Sequence, residues 1–138
     1  MLYDHPSTES LLRAAAIIRA REVDAHLCYG IVRRVADDSS PYRICQVVVQ
    51  PDGEVLCSYD KLHLCHFGDC SERSYFSRGD SLCTFEVRGV TIGLLICYDI
   101  RFPELCRQLS WGPSGEGSPI VLLAPAAPAT VAATHPDA

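Results

Sequence analysis

The sequence predicts an α/β fold built from layered sheets, and three observations predict it. Apolar runs of strand length alternate with two segments of helical period. Several runs are apolar throughout, as strands covered on both faces are. The 138 residues are 48% hydrophobic and 21% charged, the balance of a globular chain rather than a disordered one. That length suits one domain with a buried core, and the chain has no internal repeat or domain boundary.

Each element has a local cause. Residues 8–22, TESLLRAAAIIRARE, carry Leu11, Ala15 and Ile18 with Leu12 and Ala16 at helical spacing, and Ser7 or Thr8 suits the cap, so an amphipathic helix is expected. AHLCYGIV (25–32) and ICQVVVQ (44–50) read as strands separated by the polar loop RRVADDSSPY. In PDGE (51–54), Gly53 supplies the positive φ of a tight reversal, so 44–50 and 54–59 form a hairpin. KLHLCHFGDCSERSYFSRGD (61–80) is polar, irregular and too long for a simple connector, the kind of loop that more often carries function. LCTFEV (82–87), the turn RG and VTIGLLI (90–96) predict a second hairpin, and Pro103 suits the first turn of a helix over 102–110. Beyond GPSGEGSP, IVLLA (120–124) reads as a further buried strand. The aperiodic Ala/Pro-rich residues 127–138 are expected to be a disordered tail after a domain spanning 1–126.

Composition narrows the function. A net charge of −5 without a Lys/Arg cluster argues against nucleic acid and anionic membranes as partners. No apolar run approaches bilayer length, and MLYDHPSTES lacks the regions of a signal peptide, so a cytoplasmic setting is expected. The eight cysteines, Cys28, Cys45, Cys57, Cys65, Cys70, Cys83, Cys97 and Cys106, mostly sit in strand-like runs. In a reducing compartment they read as small buried hydrophobes rather than as disulfides.

One stretch stands apart. VTIGLLICYDIRFPELCRQL (90–109) runs an apolar strand into Cys97 and then into a helix. Such a junction exposes a nucleophile above the sheet edge and offers backbone N–H groups to an oxyanion. Helix starts also favour the thiolate. An inert buried thiol fits the same pattern, and spacing alone leaves both readings open. His63 and His66 are candidate bases for such a thiol. HLCHFGDC crowds His63, Cys65, His66 and Cys70, but without a C-x-x-C pair it is unlike a zinc knuckle, and no metal is expected. Lys61 ends the strand in CSYDKLHL, which allows a cation over the same sheet edge as Cys97; the plainer reading is a solvated lysine. Glu72 likewise reads plainly as an exposed loop acid.

Taken together, YDKLHL, ERSYFSRGD and GLLICYDIRFPEL resemble the carbon-nitrogen hydrolase (nitrilase) superfamily, in the family's order and spacing. The chain is most similar to the branch of omega-amidase and deaminated-glutathione amidase. The resemblance implies part of a four-layer α-β-β-α sandwich and hydrolysis of non-peptide C–N bonds in small carboxamides through a Cys thioester, without metal or organic cofactor. It implies Cys97 as nucleophile, Lys61 as the catalytic lysine and Glu72 as the assisting acid. Lys61 and the backbone N–H of Tyr98 would hold the oxyanion. Asp99, Arg101 and Glu104 would brace the elbow through ion pairs beneath it. A homo-oligomer is expected on the same basis.

The family's general-base Glu follows an apolar strand well upstream of the Lys. That strand is not found here, and Glu9 and Glu22 lie in the wrong context. The match covers about 9–126, roughly the middle half of a family domain, so a truncated amidase is expected, inactive alone if the base is lacking. The alternative is a catalytically dead fragment that binds a partner through exposed sheet and helix faces.

Overall fold

The computed structural model describes residues 6–35, 42–111 and 120–123. The element order is α1 (Pro6–Val23), β1 (Leu27–Arg34), β2 (Tyr42–Val49), β3 (Val55–Asp60), β4 (Thr84–Val87), β5 (Val90–Leu94), α2 (Pro103–Trp111) and β6 (Ile120–Leu123), with short 3₁₀ turns at Glu72–Ser74 and Cys97–Arg101. Two three-stranded sheets form, ordered β1-β2-β3 and β4-β5-β6. All neighbours are antiparallel except β5 and β6, which run parallel. The expected tail at 127–138 lies outside the described residues.

Side-chain alternation on the central strands generates four layers. On β2, Val47 and Val49 face α1, where they meet Ala16, Ile17 and Ala20. Val48 points the other way, into the space between the sheets, with Tyr59, Leu56 and Cys57 from β3 against Leu94 and Phe85. Leu94 fills that space while its neighbour Leu95 turns outward to Leu105 and Leu109 of α2. The order helix, sheet, sheet, helix therefore follows from the two-residue period of a strand covered on both faces.

The boundaries differ from the sequence reading where tertiary contacts override local pattern. Leu11 and Ile18, assigned to the buried face of α1, are 69% and 59% exposed, and the contact face is Ala16, Ile17 and Ala20. Small residues there let the helix lie close to β1 and β2. Arg33 and Arg34 were expected in a loop but extend β1, pairing in register with Arg43 and Tyr42. The cause is Asp60 at the end of β3: Arg33 Nε donates to its Oδ1 at 2.8 Å, the terminal guanidinium nitrogen of Arg33 donates to Oδ2, and Arg43 donates to Oδ2 at 3.1 Å.

Among the described residues, the turns between β2 and β3 and between β4 and β5 use left-handed backbone. Gly53 has φ +90 and sits against Ile17 and Arg21, and Arg21 Nε caps the turn through the Asp52 carbonyl at 2.8 Å. Between β4 and β5, Arg88 and Gly89 both have positive φ, +51 and +77, as a two-residue reversal of type I′ requires.

Burial pushes the Asp60 carboxyl up, but the hydrogen bonds and charges of Arg33 and Arg43 outweigh it, and the net position is below the ordinary carboxylate value. A lowered folded value stabilises the fold above the unfolded value, near pH 4, and that contribution fades as the pH falls through the folded value. Asp60→Asn is therefore expected to lower the unfolding free energy by about 2 kcal/mol at neutral pH, and by progressively less as the pH drops below about 4. Urea titrations of both proteins near pH 7 and near pH 3 read the difference.

Candidate active site

The elbow begins where β5 runs out through Leu95 and Ile96. Ile96 is extended (φ −126, ψ 113), and Cys97 then switches to φ +47, the left-handed region that a side chain enters only at a cost of about 1–2 kcal/mol. A 3₁₀ turn, Cys97–Arg101, follows and hands over to α2 at Pro103. The Cys97 thiol is half-buried. The first N–H groups of such a turn, that of Tyr98 among them, have no partner within it.

Asp99 lies beneath the elbow, fully buried. Its Oδ2 accepts the Ile96 backbone N–H at 3.0 Å and the Tyr59 hydroxyl at 2.8 Å. Its Oδ1 accepts the His63 backbone N–H at 2.8 Å and lies 3.2 Å from His63 Nδ1. A buried carboxylate needs such donors, because leaving one unsatisfied costs several kcal/mol (about 1–3 for each lost bond). The acidic residue three places into the turn reaching back to the N–H before it is a capping arrangement. Burial and the Asp99 charge push the Tyr59 phenol well above its ordinary value.

Lys61 is 1% exposed, so the solvated lysine of the plainer sequence reading is not what forms. Its Nζ bonds both carboxylate oxygens of Glu72, at 2.8 and 2.7 Å. Glu72 is itself anchored: Oε2 accepts the Cys65 backbone N–H at 2.7 Å, and the Glu72 N–H donates to the Cys65 carbonyl at 3.0 Å. The 61–80 loop returns beside β3, where the Gly79 N–H donates to the Lys61 carbonyl at 2.8 Å. Any β-carbon at Gly79 would lie 2.3 Å from the Asp60 carbonyl, so only glycine allows that approach.

The structure thus joins Lys61 to Glu72, and joins residues flanking Lys61 to the residue before Cys97 through Asp99. The ion pairs expected among Asp99, Arg101 and Glu104 do not form among the described residues. Residues two apart on a helical turn do not share a face. Arg101 instead lies over the rings of Phe67 and Tyr98, at 5.5 and 5.8 Å. Glu104 is exposed in the first turn of α2, where an acid suits the helix N-terminus. His66 is exposed, whereas His63 stacks on Phe102 at 3.6 Å with its Nδ1 turned to Asp99. Sequence reasoning gave Tyr59 no role and weighed His63 only as a base or ligand; the alternation Tyr59, Lys61, His63 was the available signal. A cleft of about 710 Å³ lined by Leu62, His63, Arg73, Phe76 and Arg78 with their neighbours includes none of Cys97, Lys61 or Glu72 in its walls.

A glycine accepts φ +47 without strain and an alanine does not. Cys97→Gly is therefore expected to be more stable than Cys97→Ala by about 1 kcal/mol, read as the difference in unfolding free energy between the two variants.

Residues 4–112 match the family model of carbon-nitrogen hydrolases. An (R)-stereoselective amidase of Pseudomonas sp. is 52% identical over 102 residues, which cover 74% of this chain and 32% of the amidase. Omega-amidase NIT2 of Homo sapiens is 36% identical over 93 residues, 64% of this chain and 33% of that protein. Among solved structures, a mutant of the amidase from Nesterenkonia sp. AN1, with acrylamide added to its active site cysteine, superposes with a TM-score of 0.68 at 25% identity, over 85% of this chain and 42% of that one. The chain spans about a third of the length of the curated relatives it matches. With the family model covering most of its residues and a four-layer arrangement of helices and sheets, the chain belongs to the carbon-nitrogen hydrolase family.

Proposed function

We propose that this chain carries the nucleophile, the cation and the assisting carboxylate of an amidase acting on small carboxamides. The observation that carries the reading is a wholly buried Lys61 held by both oxygens of Glu72, with Tyr59 and His63 on either side of it bonded to the Asp99 carboxylate that also accepts the Ile96 N–H, just before a left-handed Cys97.

In this reading the Cys97 thiolate adds to the amide carbon, and the carbonyl π electrons move to oxygen. The Lys61 ammonium and the Tyr98 N–H stabilise that oxyanion, as preorganised donors do where charge develops. Collapse breaks the C–N bond, and the nitrogen takes up a proton and leaves as ammonia. A thioester on Cys97 remains, and water cleaves it to the carboxylic acid and the free thiol. Glu72 holds the lysine in place through both carboxylate oxygens. The base that moves the protons is the upstream Glu implied by the family resemblance, a role to which no residue of this chain is assigned. An omega-amide of a dicarboxylic acid is the favoured substrate, supported by the similarity to an enzyme named omega-amidase.

Ammonia release from succinamate- and glutaramate-like amides, measured beside simple aliphatic amides, tests the reading. Release is expected to fall at least a thousandfold in Cys97→Ala, the scale on which losing a nucleophile acts. No release from any amide by a folded chain to which the upstream Glu-bearing segment of a family member has been joined would favour the partner-binding fragment instead.

A further inference from the structure

Tyr59, Lys61 and His63 are alternate residues along and just past the end of β3, and the outer two share one acceptor. Tyr59 and His63 both reach Asp99, at 2.8 Å through the hydroxyl and at 2.8 and 3.2 Å through the backbone N–H and Nδ1. Lys61 lies between them with its ammonium on Glu72. The same Asp99 carboxylate receives the N–H of Ile96, the residue before Cys97. One acceptor therefore fastens both sides of the lysine to the strand end that presents the thiol.

We propose that Tyr59 and His63 are positioning residues of the amidase site, whose hydrogen bonds to Asp99 fix the Lys61 ammonium relative to the Cys97 thiol. The proposal rests on the roles given above to Cys97 and Lys61.

The chemistry of the two side chains supports more than a packing role. Tyr59 is 1% exposed in an otherwise apolar inter-sheet cluster. A phenylalanine would fill that space without a hydroxyl to desolvate, so the hydroxyl matters for its bond to Asp99. His63 stacks almost parallel on Phe102, at 3.6 Å and 15°, which fixes the plane of the ring and the aim of Nδ1. Since a carboxylate only accepts, Nδ1 carries the proton toward Asp99. Phe102 closes the 3₁₀ turn, so the stack is a second tie between the strand end and the elbow. The attraction between ammonium and thiolate falls with separation, and attack geometry tolerates displacements of only about 1 Å.

Alkylation of Cys97 by iodoacetamide across a pH series, read by peptide mass mapping, tests this without requiring turnover. Lys61→Met is expected to slow labelling at neutral pH about tenfold and to move the midpoint of the profile upward, because the cation that favours the thiolate is gone. Tyr59→Phe and His63→Leu are expected to move the midpoint in the same direction, with a slowing of about threefold to fivefold. His63→Asn, which keeps a donor near the place of Nδ1, is expected to restore the wild-type profile. A purely structural role would lower the unfolding temperature and leave the midpoint unchanged. If Lys61→Met moves the midpoint and neither Tyr59→Phe nor His63→Leu does, the positioning role is overturned and the amidase reading stands. If Lys61→Met leaves it in place, the Lys61 ammonium does not act on the Cys97 thiol and the positioning proposal falls, while the amidase reading is judged by ammonia release. Should Tyr59→Phe not fold, the pair His63→Leu and His63→Asn, at a half-buried position, decides the matter alone.

Discussion

The site depends on one buried carboxylate. Asp99 is shielded from water and satisfied by donors from two separate parts of the chain, Tyr59 and His63 on one side and Ile96 on the other. Removing a carboxylate from water is costly, and only a set of well-directed donors offsets that cost. The requirement works in both directions. Asp99 can stay buried only if the end of β3 and the elbow after β5 remain together, and once together they define where Lys61 and Cys97 stand. The left-handed backbone at Cys97 is a further cost of about 1–2 kcal/mol that the bond to the Ile96 N–H helps to offset.

Alternation along β3 separates two tasks that might otherwise compete. Tyr59, Asp60 and Lys61 are consecutive, and all three are buried. Because neighbours in a strand point to opposite faces, Asp60 turns to Arg33 and Arg43 while Tyr59 and Lys61 turn the other way. The acid adjacent to the lysine thus neutralises arginines of its own sheet, and the lysine is left to an acid from the 61–80 loop, Glu72. Exchanging the two faces by a one-residue slip would put Asp60 into the inter-sheet core and Lys61 beside the arginines, so the hydrophobic register of β3 also fixes the charge pairing.

Much of this was legible in the sequence. The two hairpins, the flanking helices and the strand-to-helix elbow all follow from period, turn residues and Pro103, because those signals are local. Three motifs gave the family and the candidate residues. What could not be read is what distant residues supply. The extension of β1 through Arg33 and Arg34 needs Asp60 on another strand, and the contact face of α1 is chosen by the shape of β1 and β2 rather than by hydrophobicity. The spacing of Asp99, Arg101 and Glu104 suggested ion pairs, but the 3₁₀ turn directs Asp99 to a set of buried donors and Arg101 to an aromatic pair, while Glu104 stands exposed at the start of α2. Tyr59 received no role from the sequence, since nothing local marks a hydroxyl whose acceptor lies forty residues away.

The cysteines make the same point about chemistry. All eight are free thiols of one residue type, most of them in apolar runs, and composition treats them alike. Environment does not. Cys45 is buried, and that burial, with the nearby Asp60 charge, pushes its thiol up to about 12, where it stays protonated and inert at neutral pH. Cys28 and Cys57 are also pushed up, Cys28 chiefly by burial and Cys57 by its contact with the Cys83 thiol and then by burial. Among the described residues three non-glycine positions have positive φ, Asp24, Arg88 and Cys97, and only one of them is a cysteine. Left-handed backbone at the end of a strand lifts a side chain out of the sheet's alternation and sets it at the start of a turn with free N–H groups. A thiol becomes a candidate nucleophile through that placement, and the placement is maintained by a carboxylate two residues further on.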